Sequence, residues 1–131
     1  MNYLFFDIEC ACHIGGIAKI CSFGYVLCDS DFNVIEKKDI LINPVSAFSR
    51  EFFEDGADFF AYPAEQFYAQ PAFDTAYSEI RSLLTDQSNI LIGHAAACDA
   101  AYLSQNISDY GLEHFDFTYL DTQKMHAFFT S

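Results

Sequence analysis

The chain opens with MNYLFFDIE, residues 1–9, an apolar run that leads directly into two carboxylates separated by one residue. Such a run, rich in aromatic residues, predicts a buried β-strand. Side chains two residues apart on a strand point to the same face, so Asp7 and Glu9 should lie side by side where the strand ends. Two neighbouring acids repel each other unless a hard cation lies between them. The segment therefore predicts a divalent-cation site, although a solvated strand end is the commoner origin of an isolated Asp-x-Glu.

Length and composition predict one soluble globular domain. The chain has 131 residues, of which 52% are hydrophobic and 18% aromatic, and this excludes a disordered protein. No stretch approaches the eighteen or so apolar residues of a membrane span, and the N-terminus lacks the basic flank of a secretory signal. We therefore expect a cytoplasmic protein without a membrane partner. The five cysteines are an odd number without a Cys-x-x-Cys pair, which favours reduced, buried thiols over disulfides.

The charge balance limits how the protein could bind a polyanion. Six basic residues face nineteen acids, for a formal net charge of −13. A broad electrostatic grip on a nucleic-acid backbone is therefore excluded, and any such contact must be short and local. Bound divalent ions can still reverse the sign of the field within a site.

Strand and helix patterns follow one another in an order typical of a mixed α/β sheet. After the first strand and a turn-prone stretch at 10–16, further strands are predicted at residues 18–28, 34–43, 89–93 and 115–120. Helices are predicted at residues 73–84, 95–110 and 122–129. The first three strands should form a meander, and crossovers should join the last ones. Residues 45–72 contain eight aromatics without a clean period, which predicts a long ordered loop with a helical turn.

A second carboxylate has a comparable setting. The segment NILIG, residues 89–93, predicts a short buried strand, and Asp99 lies on the first turns of the helix that follows it. In an open α/β sheet the ends of such strands line the ligand crevice. We therefore expect Asp99 to face Asp7 and Glu9.

These two segments resemble the motifs of the DEDD-type 3′–5′ exonucleases, which have an RNase H-like fold. Asp7-Ile8-Glu9 matches the family's first motif, and GHAAACD, residues 93–99, matches its Gly-His-x-x-x-x-Asp run. Residues 20–26, ICSFGYV, resemble the family's second strand, and Asp121-Thr122 resembles the strand-to-helix step after the second motif. The resemblance covers nearly the whole chain. It implies a five-stranded mixed sheet with flanking helices, in a single exonuclease-like domain over residues 1–131.

The resemblance also implies a chemistry, the two-metal hydrolysis of the terminal phosphodiester at the 3′ end of DNA or RNA. Asp7 would bridge two Mg²⁺ or Mn²⁺ ions. Glu9 would help to hold the ion next to the attacking water, and Asp99 would hold the other ion directly or through water. The residues that adjoin the motifs are the implied substrate contacts: Ile8, Cys10 and His94.

His94 has an ambiguous assignment, because residues 94–99 also fit His-x-Ala-x-x-Asp, the third motif of the family's histidine subgroup. That motif lies within a helix near the end of the domain, whereas this run directly follows a buried strand. We therefore assign the run to the second motif and expect His94 to make a structural hydrogen bond.

The family pattern is incomplete at the C-terminal end. The resemblance implies a fourth carboxylate, with a His or Tyr nearby, several tens of residues beyond Asp99, but Asp109, Asp116 and Asp121 come too soon. We expect the chain to be truncated before this motif, to bind metal weakly, and to cut slowly or not at all. Loss of the C-terminal helices should also leave an apolar sheet face bare, which favours a homodimer.

Two other functions fit parts of the sequence. The same fold could serve as a non-catalytic module that binds nucleic acid or a partner, with aromatics of the 45–72 segment stacking on bases. Aromatics in a long loop more often cover a sheet face. A zinc module would use Cys10, Cys12, His13 and Cys21, but Cys-x-Cys-His lacks the usual ligand spacing.

Overall fold

The computed structural model describes residues 1–14, 16–49 and 60–125. The strands and helices of these ranges are, in chain order, β1 (Asn2–Ile14), β2 (Ile17–Cys28), β3 (Val34–Leu41), α1 (Ala64–Tyr68), α2 (Phe73–Thr85), β4 (Asn89–Gly93), α3 (Ala96–Asp109) and β5 (Leu120–Asp121). Residues 122–125 begin a further helix, and the rest of the helix predicted at 122–129 lies outside the described residues. The predictions for α2, β4 and α3 are confirmed to within one residue at each end.

The five strands form one mixed sheet in the order β3-β2-β1-β4-β5. β1, β2 and β3 pair antiparallel, which confirms the predicted meander. β4 pairs parallel with β1, and β5 pairs parallel with β4, so crossovers join these strands as expected. The parallel ladder between β1 and β4 is short and ends at the pair Phe5↔Ile92.

One face of the sheet is covered by α2 and α3. Leu4, Phe6 and Ile8 of β1 alternate toward this face and are 5% exposed or less. They pack in one core with apolar residues of both helices: Phe73, Tyr77, Ile80, Leu84, Leu103 and Ile107. Because strand side chains alternate, the residues between them on β1, including Asp7 and Glu9, face the opposite side of the sheet.

The first strand is longer than its apolar pattern predicts. β1 continues through residues 10–14, which the sequence assigns to a turn, because β2 pairs with it as far as Ile14↔Ile17. Cys10, Ala11 and Cys12 are buried in this part of the strand. The expectation that Asp7 and Glu9 end the strand is therefore wrong, since they lie near its middle.

The fifth strand is shorter than predicted. Only Leu120 and Asp121 pair with β4, and residues 112–119 have no regular secondary structure. The alternating aromatics of this segment are instead held by ring contacts, among them Phe117 against Phe6 and Phe115 against Tyr77. Side-chain packing here takes the place of a backbone ladder.

The segment after β3 covers the second sheet face at one end. Phe60 and Phe67 are buried there against Ala11 and Cys21, and Phe48 packs against both rings. This favours the covering role of these aromatics over base stacking. Residues 50–59, which contain others of the eight aromatics, lie outside the described residues.

Four cysteines are buried as expected, but Cys98 is exposed on α3, where it lies on the outer side of the helix. All five are free thiols, in agreement with the absence of a disulfide pattern. No helix in the described ranges has both the length and the apolar character needed to cross a membrane.

Two glycines provide a test of the packing. A Cβ at Gly93 would lie 2.7 Å from the Cβ of Ala96 and 3.3 Å from the Phe6 ring, whereas a Cβ at Gly24 would meet mainly the carboxylate end of Asp39, at 2.8 Å. The Asp39 side chain can move, but the Ala96 Cβ is fixed to the helix backbone. Gly93→Ala should therefore lower the free energy of unfolding by about 1–3 kcal/mol, the usual cost of overpacking. Gly24→Ala should be close to neutral in the same urea titration, and equal losses in both variants would contradict this account.

Candidate active site

Asp7 and Glu9 lie just beyond the point where the ladder between β1 and β4 ends. Asp7 pairs with Gly24 of β2 and Glu9 pairs with Ser22, and the register shifts directly after Glu9. Asp7 is exposed and Glu9 is half-buried. The strand that ends beside the two carboxylates is thus β4, since β1 continues past them to Ile14. Asp7 and Glu9 therefore lie next to a strand end although they are within β1.

Asp99 reaches the same place from α3. It lies on the first turn of the helix and is 6% exposed, and its Oδ2 accepts a hydrogen bond of 3.3 Å from the backbone amide of Ile8. Ile8 stands between Asp7 and Glu9 in the sequence. The structure therefore brings together the three acids singled out by their sequence settings.

Two of the carboxyl groups, those of Glu9 and Asp99, have raised pKa values. Burial, a hydrogen bond to Asp7, and the negative charges of Asp7 and Asp99 raise the pKa of Glu9 to about 7. Burial and the charge of Asp7 likewise raise the pKa of Asp99 to about 7, although the hydrogen bond from the Ile8 amide opposes this. Negative charge in this group is thus insufficiently compensated.

The predicted substrate contacts occupy different settings. The side chains of Ile8 and Cys10 are buried, at 5% and 8% exposure, so only their backbones could reach a substrate. His94 is exposed, and its Nδ1 lies 2.9 Å from the Thr122 hydroxyl. The structural hydrogen bond expected for His94 is therefore confirmed, whereas substrate contact by the three residues stays a prediction.

A cleft of about 450 Å³ adjoins the acids on the sheet face opposite α2 and α3. Asp7 and Glu9 line one part of it, and Lys37, Asp39 and Tyr62 line another. The Tyr62 hydroxyl donates a hydrogen bond of 2.8 Å to Asp39. None of the described salt bridges involves Lys37. Its ammonium group is therefore available to a ligand in the cleft.

Asp121 has a role that the sequence analysis missed. Its carboxylate accepts hydrogen bonds from the amides of Ala95, Ala96 and Gln123, at 3.0, 3.2 and 2.9 Å. Burial acts to raise the pKa of Asp121, but these amides together hold it below its usual range. An acid directly before a helix is a recognised capping signal, so the bond to Gln123 could have been anticipated. The bonds to Ala95 and Ala96 bridge a long stretch of sequence and could not.

The donor set suits a hard divalent cation. Three carboxylates supply oxygen ligands, and burial together with the charges of neighbouring acids raises the pKa of Glu9 and Asp99. Within residues 1–14, 16–49 and 60–125, no three His, Cys, Asp or Glu side chains are grouped closely enough to hold an ion as they stand. The three carboxylates therefore suit a divalent cation by ligand type and location, and binding would require their oxygen atoms to move closer together.

The same observations speak against the zinc module. Burial first, and then the negative charge of Asp99, raises the pKa of Cys10 to about 12, and burial also raises the pKa of Cys21. Zinc is bound by thiolates, which these thiols resist forming. His13, the fourth member of the set, is exposed and packs edge-on against Tyr102.

Comparison with known proteins found similarity of structure only. No protein-family model matches the chain, and no curated protein matches it. The nuclease domain of 3′hExo, a DEDDh family member with bound rAMP, matches with a TM-score of 0.75 at 13% identity, over 98% of this chain and 70% of that chain. E. coli exonuclease I in complex with a 5cy-dA13 oligonucleotide matches with a TM-score of 0.74 at 17% identity, over 98% and 30%. A product-bound structure of exonuclease I gives 0.73 at 18% identity, over 95% and 30%.

At these identities the comparisons establish the fold. The mixed five-stranded sheet with flanking helices is RNase H-like, as the sequence predicts, and it is the fold of 3′–5′ exonuclease domains. The chain spans 30% of the exonuclease I chain, so the activity of that whole enzyme does not transfer by similarity alone.

The raised carboxyl pKa values predict a pH dependence of stability in metal-free protein. Glu9 and Asp99 titrate near pH 7 when folded, against model values of 4.5 and 3.8, so the folded state binds more protons than the unfolded state between these limits. The free energy of unfolding should therefore fall as pH rises from about 4 to about 7. Glu9→Gln should flatten this fall in urea titrations with a chelator present. Glu65→Gln, on α1, is the control, and an unchanged slope in Glu9→Gln would refute the prediction.

Proposed function

We propose that this chain is a metal-dependent nuclease domain that removes nucleotides from the 3′ end of DNA or RNA. The observation that carries the proposal is the meeting of Asp7, Glu9 and Asp99 beyond the end of β4, on an RNase H-like fold. The matching nucleases contain rAMP or oligonucleotides in their structures. Neither the fold nor the comparisons support the homodimer expected from the sequence.

The three acids would together hold two Mg²⁺ or Mn²⁺ ions. Asp7, the most exposed of them, would serve both ions, while Glu9 and Asp99 would each hold one. When bound, the ions would lower the pKa of a water and stabilise charge on the attacking and leaving oxygens. Glu9 and Asp99 must give up their protons for this, and a neighbouring cation would favour that ionisation.

The cleft is suited to a short nucleic-acid end rather than a long duplex. Three of the basic residues are committed to salt bridges with Asp109, Glu79 and Glu113: Lys19, Lys38 and Arg81. Among the described residues, Lys37 is the cation that lines the cleft. A single phosphate contact is consistent with the local binding that a net charge of −13 permits.

A second function is favoured by a specific observation. The described acids that follow Asp99 lie in other settings: Asp109 pairs with Lys19, Glu113 pairs with Arg81, Asp116 lines a separate pocket beside Leu103, and Asp121 binds the amides before α3. A fourth metal-binding carboxylate is thus not found in the described part of the chain. The same site could therefore bind a nucleic-acid end without cutting it.

Metal binding should be detectable as thermal stabilisation. An ion that binds only the folded state at tenfold excess over its Kd stabilises it by about 1.4 kcal/mol, which corresponds to roughly 5 °C in Tm for a domain of this size. Mn²⁺ should raise the Tm of the wild type by an amount of this order, and Asp7→Asn should lose the shift. Asp31→Asn, on the loop between β2 and β3, is the matched control. Equal shifts in Asp7→Asn and wild type would place the ions elsewhere.

Cleavage and binding can be separated with 5′-labelled single-stranded DNA and RNA. The nuclease proposal expects stepwise shortening from the 3′ end in Mn²⁺, and Asp7→Asn should reduce the rate more than roughly a hundredfold, beyond the usual loss from an outer-shell change. Metal-dependent binding without shortening would support the binding module instead. If the chain neither binds nor shortens the oligonucleotides, both functions are refuted.

Lys37 provides a test of how the substrate approaches. Lys37→Ala should weaken binding of the labelled oligonucleotide in Mn²⁺ and reduce the salt dependence of binding by about one phosphate contact. Lys38→Ala removes the neighbouring charge, which pairs with Glu79, and should leave the affinity unchanged. Fluorescence anisotropy at several salt concentrations measures both effects, and equal losses in the two variants would show that general charge is responsible.

A further inference from the structure

The turn from β4 into α3 depends on groups from elsewhere in the chain. Ala95 precedes the helix with φ 52° and ψ 40°, and no side chain of its own caps the helix. The first N–H groups of any helix have no partner within it. Gly93 is packed so tightly that an added Cβ would lie 2.7 Å from the Cβ of Ala96. The left-handed backbone of Ala95 is therefore strained, and the residues at the start of α3 leave the helix uncapped.

Asp121 supplies what this turn lacks. Its Oδ1 accepts the amide hydrogen of Ala95 at 3.0 Å, and its Oδ2 accepts that of Ala96 at 3.2 Å. Asp121 is 7% exposed, and its backbone pairs with Gly93 at the end of β4. A negative charge at this end of a helix also interacts favourably with the helix dipole.

A second set of contacts stabilises the same turn between β4 and α3. The Thr122 hydroxyl lies 2.9 Å from Nδ1 of His94 and donates to the Gly93 carbonyl at 3.4 Å. The residues between β4 and α3 are thus held at both their side chains and their backbone by the Asp121-Thr122 step.

Asp99 follows Ala96 by three residues, so it lies one helical turn beyond the amides that Asp121 binds. Its Oδ2 contacts the Ile8 amide at 3.3 Å, which sets its position relative to β1. We propose that Asp121 is a positioning residue for the carboxylate site: it fixes the first turn of α3 and so holds Asp99 beside Asp7 and Glu9. Both Asp121 oxygens are engaged by backbone amides, so the role differs from that of a metal ligand. The inference rests on the proposed function.

The test measures Mn²⁺ affinity of the folded protein, well below its Tm, together with hydrogen exchange at the Ile8 amide. Asp121→Asn should weaken Mn²⁺ binding roughly tenfold, as is typical when an outer-shell partner is lost. It should also speed Ile8 exchange in metal-free protein, a readout independent of any activity. The matched control is Asp86→Asn, which removes a carboxylate that binds Ser88 before the start of β4, at the opposite end of that strand from the site. It should lower stability without changing either readout.

The outcomes distinguish failure of the inference about Asp121 from failure of the proposed function. If the wild type binds Mn²⁺ and Asp121→Asn binds it equally well with unchanged Ile8 exchange, the inference is overturned and the proposed function stands. If the wild type does not bind Mn²⁺, the proposed function fails and the inference fails with it. If Asp121→Asn does not fold, Thr122→Val tests the inference, because it removes the hydroxyl that contacts His94 and Gly93 in the same turn. Unchanged affinity and exchange in Thr122→Val would then overturn the inference.

Discussion

The candidate site depends on the backbone amide of Ile8, which lies beyond the end of the ladder between β1 and β4. β4 is five residues long, and its ladder with β1 ends at Phe5↔Ile92, while β1 itself continues to Ile14. The buried amide of Ile8 must find another acceptor, because an unpaired buried amide costs about 1–3 kcal/mol. Asp99 provides this acceptor from α3. One hydrogen bond therefore completes the sheet edge and places the third acid beside Asp7 and Glu9.

This arrangement carries an electrostatic cost. Burial and the charges of neighbouring acids raise the pKa of Glu9 and Asp99, and the basic residues of the described salt bridges pair with acids elsewhere. A fold under selection for stability alone would separate them or supply a counter-charge. Local destabilisation of this kind is typical of functional sites, where stability is lost for a binding property. The preference of clustered carboxylates for a divalent cation follows from the same repulsion.

The aromatic residues have a structural role that confines the cleft. Phe60 and Phe67 pack onto Ala11 and Cys21 and close one end of the second sheet face. The polar residues left along the cleft, among them Lys37 and Asp39, then determine what a ligand can contact. The described aromatics Phe48, Phe60 and Phe67 thus cover a sheet face, and charged side chains line the open part of the cleft.

The sequence alone determined the elements with strong local patterns. Helical spacing predicted α2 and α3, a short apolar run predicted β4, and two acidic motifs predicted that Asp7, Glu9 and Asp99 lie together. Tertiary structure decided where each pattern stops. β1 extends past Glu9 because the β2 hairpin pairs with it, and the strand predicted at 115–120 is reduced to Leu120–Asp121 because its aromatic rings pack against the core instead. The bond of Asp121 to Ala95 joins residues 26 positions apart, and no local pattern contains such a contact. Periodicity reports which face of an element is apolar, whereas strand ends and capping partners depend on what the folded chain places next to them.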